Sequence, residues 1–231
     1  MGRLFTSLVA VSALLMICGC DGGDGIPPIP PHDFGLNNPD LYLVMGDSIS
    51  SPDDPTWPSR LAGMISNNTI VNEAVPGQWA KKGADRVDGL LNWYRPGYLL
   101  VLYGANDVIM GQPPAVVVEH LREIVQAAKT NQTIPVIATM TPMIEGLSIF
   151  QGGIDAVNAG IVQMGIEEDI PVARLDLAFG DGAGLLTLDY LHPNDAGQQL
   201  IAETFYGALH PVPAAVTVKD DSISSSRSRY H

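Results

Sequence analysis

Five short, continuously apolar runs occur along the chain, and the longer stretches between them repeat apolar side chains at helical spacing. Runs without polar alternation are typical of strands buried on both faces of a parallel sheet. We predict strands at Leu41–Met45, Thr69–Val75, Tyr98–Tyr103, Ile134–Met140 and Val172–Leu175. Such strands require helices on both faces of the sheet, because neither face can be left in water.

Helical patterns fall between these runs. The clearest begins at Pro114, a residue that suits the first turn of a helix, and continues to Lys129. One face of this segment carries apolar residues at helical spacing, namely Val117, Leu121, Ile124, Val125 and Ala128. Further helices are predicted at 58–65, 82–94, 154–168 and 195–209. This alternation predicts an α/β fold, a three-layer α/β/α sandwich with a central, mostly parallel sheet and right-handed crossovers.

Residues 1–19 do not follow this alternation. Arg3 precedes an apolar run shorter than the ~20 residues that a membrane-spanning helix needs, and small residues follow it, which is typical of a secretion signal. The run Ile17-Cys18-Gly19-Cys20 resembles a bacterial lipobox, in which the signal is cut before a cysteine that becomes lipid-modified. The small Gly19 makes Cys20 the expected lipidation site. An ordinary secreted protein with an incidental cysteine is the alternative.

The rest of the chain divides into one domain and two flanking segments. Residues 20–40, which start at this cysteine, are rich in glycine, proline and aspartate and predict a flexible tether. Residues 211–231 are rich in serine, arginine and aspartate without apolar periodicity, and predict a disordered tail. Residues 41–210 are the expected folded domain. A chain of 231 residues with 46% hydrophobic content is sufficient for one such core.

Charge and cysteine content exclude several classes of partner. With 12 basic and 25 acidic residues, the net charge is −13, and a surface of that sign repels phosphate backbones. Nucleic acid is therefore not an expected partner. Cleavage before Cys20 removes Cys18 and leaves a single cysteine, so the mature domain is expected to have neither a disulfide framework nor a cysteine metal site.

Candidate chemistry lies in four short motifs, in the order Gly46-Asp47-Ser48, Gly77, Gly104–Asp107 and Asp189–Pro193. The first three follow the ends of predicted strands. Because the carboxyl ends of parallel strands meet at one edge of a sheet, we expect these motifs to converge there.

The residue types suit acyl transfer. A serine hydroxyl such as that of Ser48 reacts only when a neighbouring base takes its proton, and His192 can serve as that base. Asp189 lies three residues before His192, close enough to bind one ring nitrogen while the other faces the serine. Taken singly, each motif has a simpler interpretation: a helix-capping serine, a surface histidine beside a capping aspartate, and a βα turn at Asn106.

The order and spacing of the motifs resemble those of the SGNH hydrolases, also called GDSL esterases and lipases, from Leu41 to Leu209. The resemblance implies a flavodoxin-like SGNH hydrolase fold for residues 41–210, with no metal and no cofactor. It further implies that Ser48 is the nucleophile, His192 the base and Asp189 its orienting partner. The oxyanion hole would consist of the Ser48 and Gly77 amides and the side chain of Asn106. The one departure from the family pattern is Ile49, which stands where the family name has leucine.

The function implied is hydrolysis of a carboxylic ester, the substrate being a lipid, an acylated sugar or a small ester. With Cys20 lipidated, the enzyme is expected in the bacterial cell envelope, on the periplasmic side or at the cell surface, with the lipid as its membrane contact. Two alternatives stay open. One is a catalytically silent lipoprotein that binds glycans or lipids in the same cleft, and the other is an acyltransferase to sugars.

One segment is unusually apolar for a loop. Residues 141–150 follow the fourth predicted strand on the side of the motifs, and Met143, Ile144, Leu147 or Phe150 is a candidate for lining an acyl groove. Ordinary core packing is the alternative.

Overall fold

The computed structural model of the protein describes residues 32–52 and 56–211. The predicted signal at 1–19, the lipidation site Cys20, the first part of the tether and all but the first residue of the predicted tail lie outside the described residues. In the part of the chain that is described, no helix is long and apolar enough to span a bilayer.

The centre of the fold is a sheet of five parallel strands in the order β2-β1-β3-β4-β5. The strands are β1 Asn38–Gly46, β2 Thr69–Asn72, β3 Pro96–Leu102, β4 Ile134–Ala138 and β5 Val172–Ala173. The chain first places β2 on one side of β1 and then adds every later strand on the other side. This reversal opens a crevice at the carboxyl ends of β1 and β3, where ligands bind in open sheets of this kind.

Helices cover both faces of the sheet. One face is covered by α1 Trp57–Met64 and α7 Asp195–Leu209, and the other by α2 Ala80–Tyr94, α4 Pro114–Thr130 and α5 Gln151–Glu168. Two short helices and two 3₁₀ segments complete the described elements: α3 Ala105–Ile109, α6 Leu175–Phe179, Ser48–Ser50 and Glu145–Phe150. The three-layer α/β/α sandwich predicted from the sequence is confirmed.

Alternating residues of β1 divide the interior into two cores. Leu43 and Met45 point into the core beneath α2, α4 and α5, whereas Val44 points into the core beneath α1 and α7. In the second core, Trp57 and Phe205 stack with ring centroids 4.2 Å apart. Both sheet faces are therefore dry, which explains why the strands are apolar throughout.

The structure corrects the start of the domain. β1 begins at Asn38, three residues before the predicted strand, and the Asn38 amide donates to the carbonyl of Arg95 at 2.9 Å. Just upstream, Phe34 packs against the ring of Tyr98, and the Asn37 side chain donates to the carbonyl of Asn131 at 2.6 Å. Residues 33–40 therefore belong to the domain and not to the tether. Their polar composition does not predict a strand, because the start of this strand is held by backbone hydrogen bonds and not by apolar side chains.

A second correction concerns the ends of the last two strands. The predicted strand 172–175 is only two residues long, and Leu175 begins α6 instead. The side chain of Thr139, just beyond β4, accepts a hydrogen bond from the Asp176 amide at 3.0 Å and so holds the first turn of α6. The sheet therefore ends earlier than its apolar sequence indicates.

Candidate active site

Ser48 lies in a sharp turn directly after β1. The turn needs Gly46, because a Cβ there would come within 2.8 Å of the carbonyl oxygen of Leu102 on the neighbouring strand. Asp47 then caps the 3₁₀ segment Ser48–Ser50, its Oδ1 accepting from the Ile49 amide at 3.0 Å. The partly buried Ser48 therefore lies at the carboxyl edge of the sheet, at the crevice between β1 and β3.

A tight hairpin loop brings His192 to this serine. The Thr187 amide donates to the carbonyl of His192 at 2.8 Å, and the Tyr190 amide donates back to Thr187 at 3.0 Å. Tyr190 completes the turn with φ of +60°. As a result, Nε2 of His192 lies 2.8 Å from Oγ of Ser48, although 144 positions separate the two in sequence.

Asp189 holds the other ring nitrogen of His192. Its Oδ2 is 2.6 Å from Nδ1 of His192. Its Oδ1 accepts from the amides of Leu191 and His192, each at 2.9 Å, and from the Thr187 hydroxyl at 2.7 Å. Partial burial raises the pKa of Asp189, but the hydrogen bonds from His192, Leu191 and Thr187 outweigh it and hold the pKa well below its usual range.

The ionised Asp189 selects one histidine tautomer. A carboxylate can only accept a hydrogen bond, so Nδ1 carries the hydrogen in neutral His192 and Nε2 presents a lone pair. The Ser48 hydroxyl can then donate to Nε2. This arrangement suits proton transfer from serine to histidine.

Gly77 lies in the turn that follows β2. The Gln78 amide donates to the carbonyl of Val75 at 3.1 Å, which closes a four-residue turn with Pro76 second and Gly77 third. Gly77 has φ of +73°, and a Cβ added there would meet no atom within 4 Å. The backbone conformation, and not a lack of space, therefore requires glycine. The Val75 amide also donates to the carbonyl of Gly46, at 3.0 Å, and ties this turn to the end of β1.

Asn106 connects the Ser48 turn to the Gly77 turn. It lies in α3, and its Nδ2 is 3.1 Å from Oδ2 of Asp47 and 3.2 Å from the carbonyl oxygen of Gln78. Its neighbour Asp107 accepts from the Ala80 amide at 3.0 Å and so caps α2, which follows the Gly77 turn. Hydrogen bonds thus join Ser48, His192 and Asp189 directly, and they join Asn106 to the two turns that carry Ser48 and Gly77.

Asp47 is a site residue that sequence reasoning treated only as part of a turn motif. Asp47 is 1% exposed, and that burial raises its pKa to about 6. The hydrogen bond from Ile49, the charge of His192 and the hydrogen bond from Asn106 lower the pKa, and the charge of Asp107 raises it. In the sequence, Asp47 is marked only by its position beside Ser48, and that position does not show that its side chain is buried.

The raised pKa of Asp47 predicts a pH effect on stability. A folded-state pKa above that of the unfolded chain means that the stabilisation from protonation is complete below about pH 4 and is lost as pH rises through about 6. We expect the free energy of unfolding of wild type, minus that of Asp47→Asn, to increase by about 2–3 kcal/mol from pH 8 to pH 4. Urea unfolding at a series of pH values measures this difference, and a constant difference would contradict the assignment.

The apolar segment 141–150 lies partly in the core and partly at the surface. Met143 is buried among the residues beneath α4 and α5, and Leu147 and Phe150 pack against the same core. Packing therefore accounts for these three side chains, and an acyl groove is not needed to explain them. Ile149, by contrast, is 81% exposed.

Among residues 32–52 and 56–211, no group of three or more histidine, cysteine, aspartate or glutamate side chains is placed to hold a metal ion. The chemistry described for this site uses only the side chains and amides named above.

Comparison with known proteins shows the family of the chain. Thioesterase 1/protease 1/lysophospholipase L1 of Escherichia coli K12 is 27% identical over 183 residues, which cover 75% of this chain and 85% of that protein. An arylesterase of Vibrio mimicus is 32% identical over 97 residues, 38% of this chain, and this match spans 48% of the arylesterase.

Solved structures show the same fold. The crystal structure of TesA superimposes with a TM-score of 0.64 at 24% identity, covering 74% of this chain and 98% of that one. An acetyl-xylooligosaccharide esterase from Geobacillus gives 0.67 at 16% identity, with 76% and 96% covered. Residues 44–200, more than half of the chain, match the GDSL-like Lipase/Acylhydrolase family. The chain therefore belongs to this family and is an ester-hydrolysing serine hydrolase.

Proposed function

We propose that the protein hydrolyses carboxylic esters with Ser48 as nucleophile, His192 as general base and acid, and Asp189 as the residue that orients His192. The observation that carries this proposal is the continuous chain of contacts, 2.8 Å from Ser48 Oγ to Nε2 and 2.6 Å from Nδ1 to Asp189 Oδ2. The pairing of an ionised carboxylate with the imidazole also supports it, because the carboxylate stabilises the imidazolium formed during attack.

The reaction proceeds in two halves. Ser48 Oγ attacks the ester carbonyl while its proton passes to Nε2 of His192, and the departing alcohol then takes that proton as the acyl-serine forms. Water attacks the acyl-serine in the second half, again giving its proton to Nε2, and the acid product leaves. The side chains of His192 and Asp189 are 37% and 51% exposed. Water can therefore reach His192 for the second half of the reaction.

Three donors are proposed for the oxyanion: the amides of Ser48 and Gly77 and the carboxamide of Asn106. The ties between their turns support the assignment, since Asn106 binds the carbonyl of Gln78 and the Val75 amide binds Gly46. The Ser48 and Gly77 amides are held by the backbone of their turns. Nδ2 of Asn106 has two hydrogens, which face Asp47 and the Gln78 carbonyl, and it shares one of them with the oxyanion as charge develops.

Asn106→Ala tests the donor role. Because an oxyanion donor acts mainly once charge has developed, its loss should lower kcat by ~10²–10³ and change KM much less. Asn106→Asp should be at least as damaging, since a carboxylate would face the developing anion. Steady-state kinetics with parallel thermal melts measure both effects. If both variants melt early and lose activity only in proportion to unfolded protein, Asn106 is a turn residue.

Covalent labelling tests the proposed function directly. A fluorophosphonate should label wild type at Ser48, and Ser48→Ala should remain unlabelled. Ser59→Ala is the matched control, because Ser59 is an exposed serine of α1 whose hydroxyl donates to the Thr56 carbonyl. It should label like wild type. Absence of labelling in a folded wild-type protein would favour the alternative, a silent lipoprotein that binds glycans or lipids.

The substrate class proposed is an ester of a lipid, an acylated sugar or a small alcohol. The names of the relatives span thioesterase, lysophospholipase and arylesterase activities, and one structural neighbour is named for acetylated xylooligosaccharides. A chain-length series of model esters, followed by lysophospholipids and acetylated glycans, separates these classes.

We further propose that Cys20 carries lipid and holds the enzyme in the bacterial envelope, on the periplasmic side or at the cell surface. The support is the sequence around Cys20 alone. Wild type should sediment with membranes, whereas Cys20→Ala should appear in soluble fractions. If the two proteins were equally soluble, the proposal that Cys20 carries a lipid anchor would be wrong.

A further inference from the structure

The carboxylate of Asp47 joins two parts of the site that the chain supplies separately. Oδ1 accepts from the Ile49 amide at 3.0 Å and so caps the turn that carries Ser48. Oδ2 accepts from Nδ2 of Asn106 at 3.1 Å. One buried side chain thus fixes the distance between the nucleophile turn and the carboxamide.

The two ends of a carboxamide have nearly the same shape, so hydrogen-bond partners decide which end faces a given direction. Nδ2 of Asn106 lies near two acceptors, Oδ2 of Asp47 and the carbonyl oxygen of Gln78. An oxygen in that position would be repelled by both. Of the two acceptors, only the carboxylate can be replaced by mutation without altering the backbone.

We infer that Asp47 is a positioning residue, which holds the Asn106 carboxamide with its nitrogen towards the crevice and so keeps the oxyanion donor in place. This inference rests on the proposed role of Asn106 in the ester hydrolysis. A buried carboxylate is unfavourable for the fold, and groups of that kind concentrate where catalysis needs them. The raised pKa of Asp47 is consistent with that cost.

The cap alone does not require aspartate. Asparagine and serine cap helical turns as well as aspartate does, so either could keep the bond to the Ile49 amide. Asparagine has one side-chain oxygen, and with that oxygen on Ile49 its NH₂ would face the Nδ2 of Asn106. Asp47→Asn therefore preserves size and cap while removing the acceptor for Asn106. Asp47→Ser does the same with a smaller side chain, and it replaces Asp47→Asn if that variant does not fold.

The experiment is a double-mutant cycle in kcat on a model ester. Asp47→Asn is expected to lower kcat by ~10–100-fold with KM within about twofold, because a misoriented donor acts on the transition state. In the Asn106→Ala background, the same change at Asp47 should have almost no further effect. If Asp47 were only structural, Asp47→Asn would lower the thermal midpoint and the fraction of active enzyme, and its effect would not depend on Asn106.

Two results would overturn the inference. The first is an Asp47→Asn enzyme with wild-type kcat. The second is a pair of losses that multiply in the double variant, which would mean that Asp47 acts on the charges of His192 and Asp107, the ionisable groups that face it, and not through Asn106. Failure of the proposed function gives a different result, because wild type itself would then neither hydrolyse esters nor react with a fluorophosphonate.

Discussion

Ser48→Ala is expected to lower kcat for ester hydrolysis by about 10⁶-fold, the scale found when the nucleophile of a serine protease is removed. Ser48 Oγ is the atom that lies against Nε2 of His192, at 2.8 Å, and alanine leaves the base with no proton to take. The measurement is single-turnover hydrolysis of an aryl ester, corrected for uncatalysed hydrolysis. Binding should persist, because the amides of Ser48 and Gly77 do not depend on the hydroxyl.

The neighbouring serines provide the comparison for this result. Ser50 is fully buried, and its hydroxyl accepts from Nε1 of Trp57 at 2.9 Å, so it belongs to the core. Ser59→Ala should keep kcat within about twofold of wild type. A Ser48→Ala enzyme with more than about one per cent of wild-type kcat would show that another nucleophile carries the reaction.

Asp189→Asn is expected to lower kcat by up to ~10⁴-fold, as the matching change does in serine proteases. Asparagine can keep Oδ1 on the amides of Leu191 and His192 and on the Thr187 hydroxyl, so the loop should retain its shape. Its Nδ2 would then face Nδ1 of His192 and favour the tautomer with the proton on Nε2. That tautomer cannot accept the proton of Ser48.

Kinetics and thermal melts of Asp189→Asn together measure this effect. Asp181→Asn is the matched control, because Asp181 is exposed and caps a nearby turn through the Ala183 amide at 3.0 Å. It should leave kcat within about twofold of wild type. Near-normal turnover by a folded Asp189→Asn enzyme would mean that a different carboxylate orients His192.

Much of the fold could be predicted from periodicity. α7 spans Asp195–Leu209 as predicted, and α4 ends one residue beyond the predicted Lys129, because long helices carry many repeats of their apolar pattern. α3 and α6 are five residues each, too short for a periodic signal. The first residues of β1 were missed since Asn38 is held by a backbone hydrogen bond, and side-chain patterns do not report such bonds.

The residues of the candidate site could also be chosen from the sequence, because each lies in a short local motif. The contact between Asp47 and Asn106 could not be predicted in that way, because it joins positions 59 residues apart. Nor does a motif report which acceptors surround a carboxamide. Only the spatial arrangement shows that the aspartate beside the nucleophile also faces the donor.

β1 crosses the domain from the amino edge of the sheet to the crevice at its carboxyl edge. β1 begins at Asn38, at the amino edge of the sheet, whereas Ser48 lies two residues beyond Gly46, the last residue of the same strand. Its nine extended residues, at about 3.3 Å each, separate these two edges by ~30 Å. A substrate therefore reaches the crevice at the edge of the sheet opposite the one at which β1 begins.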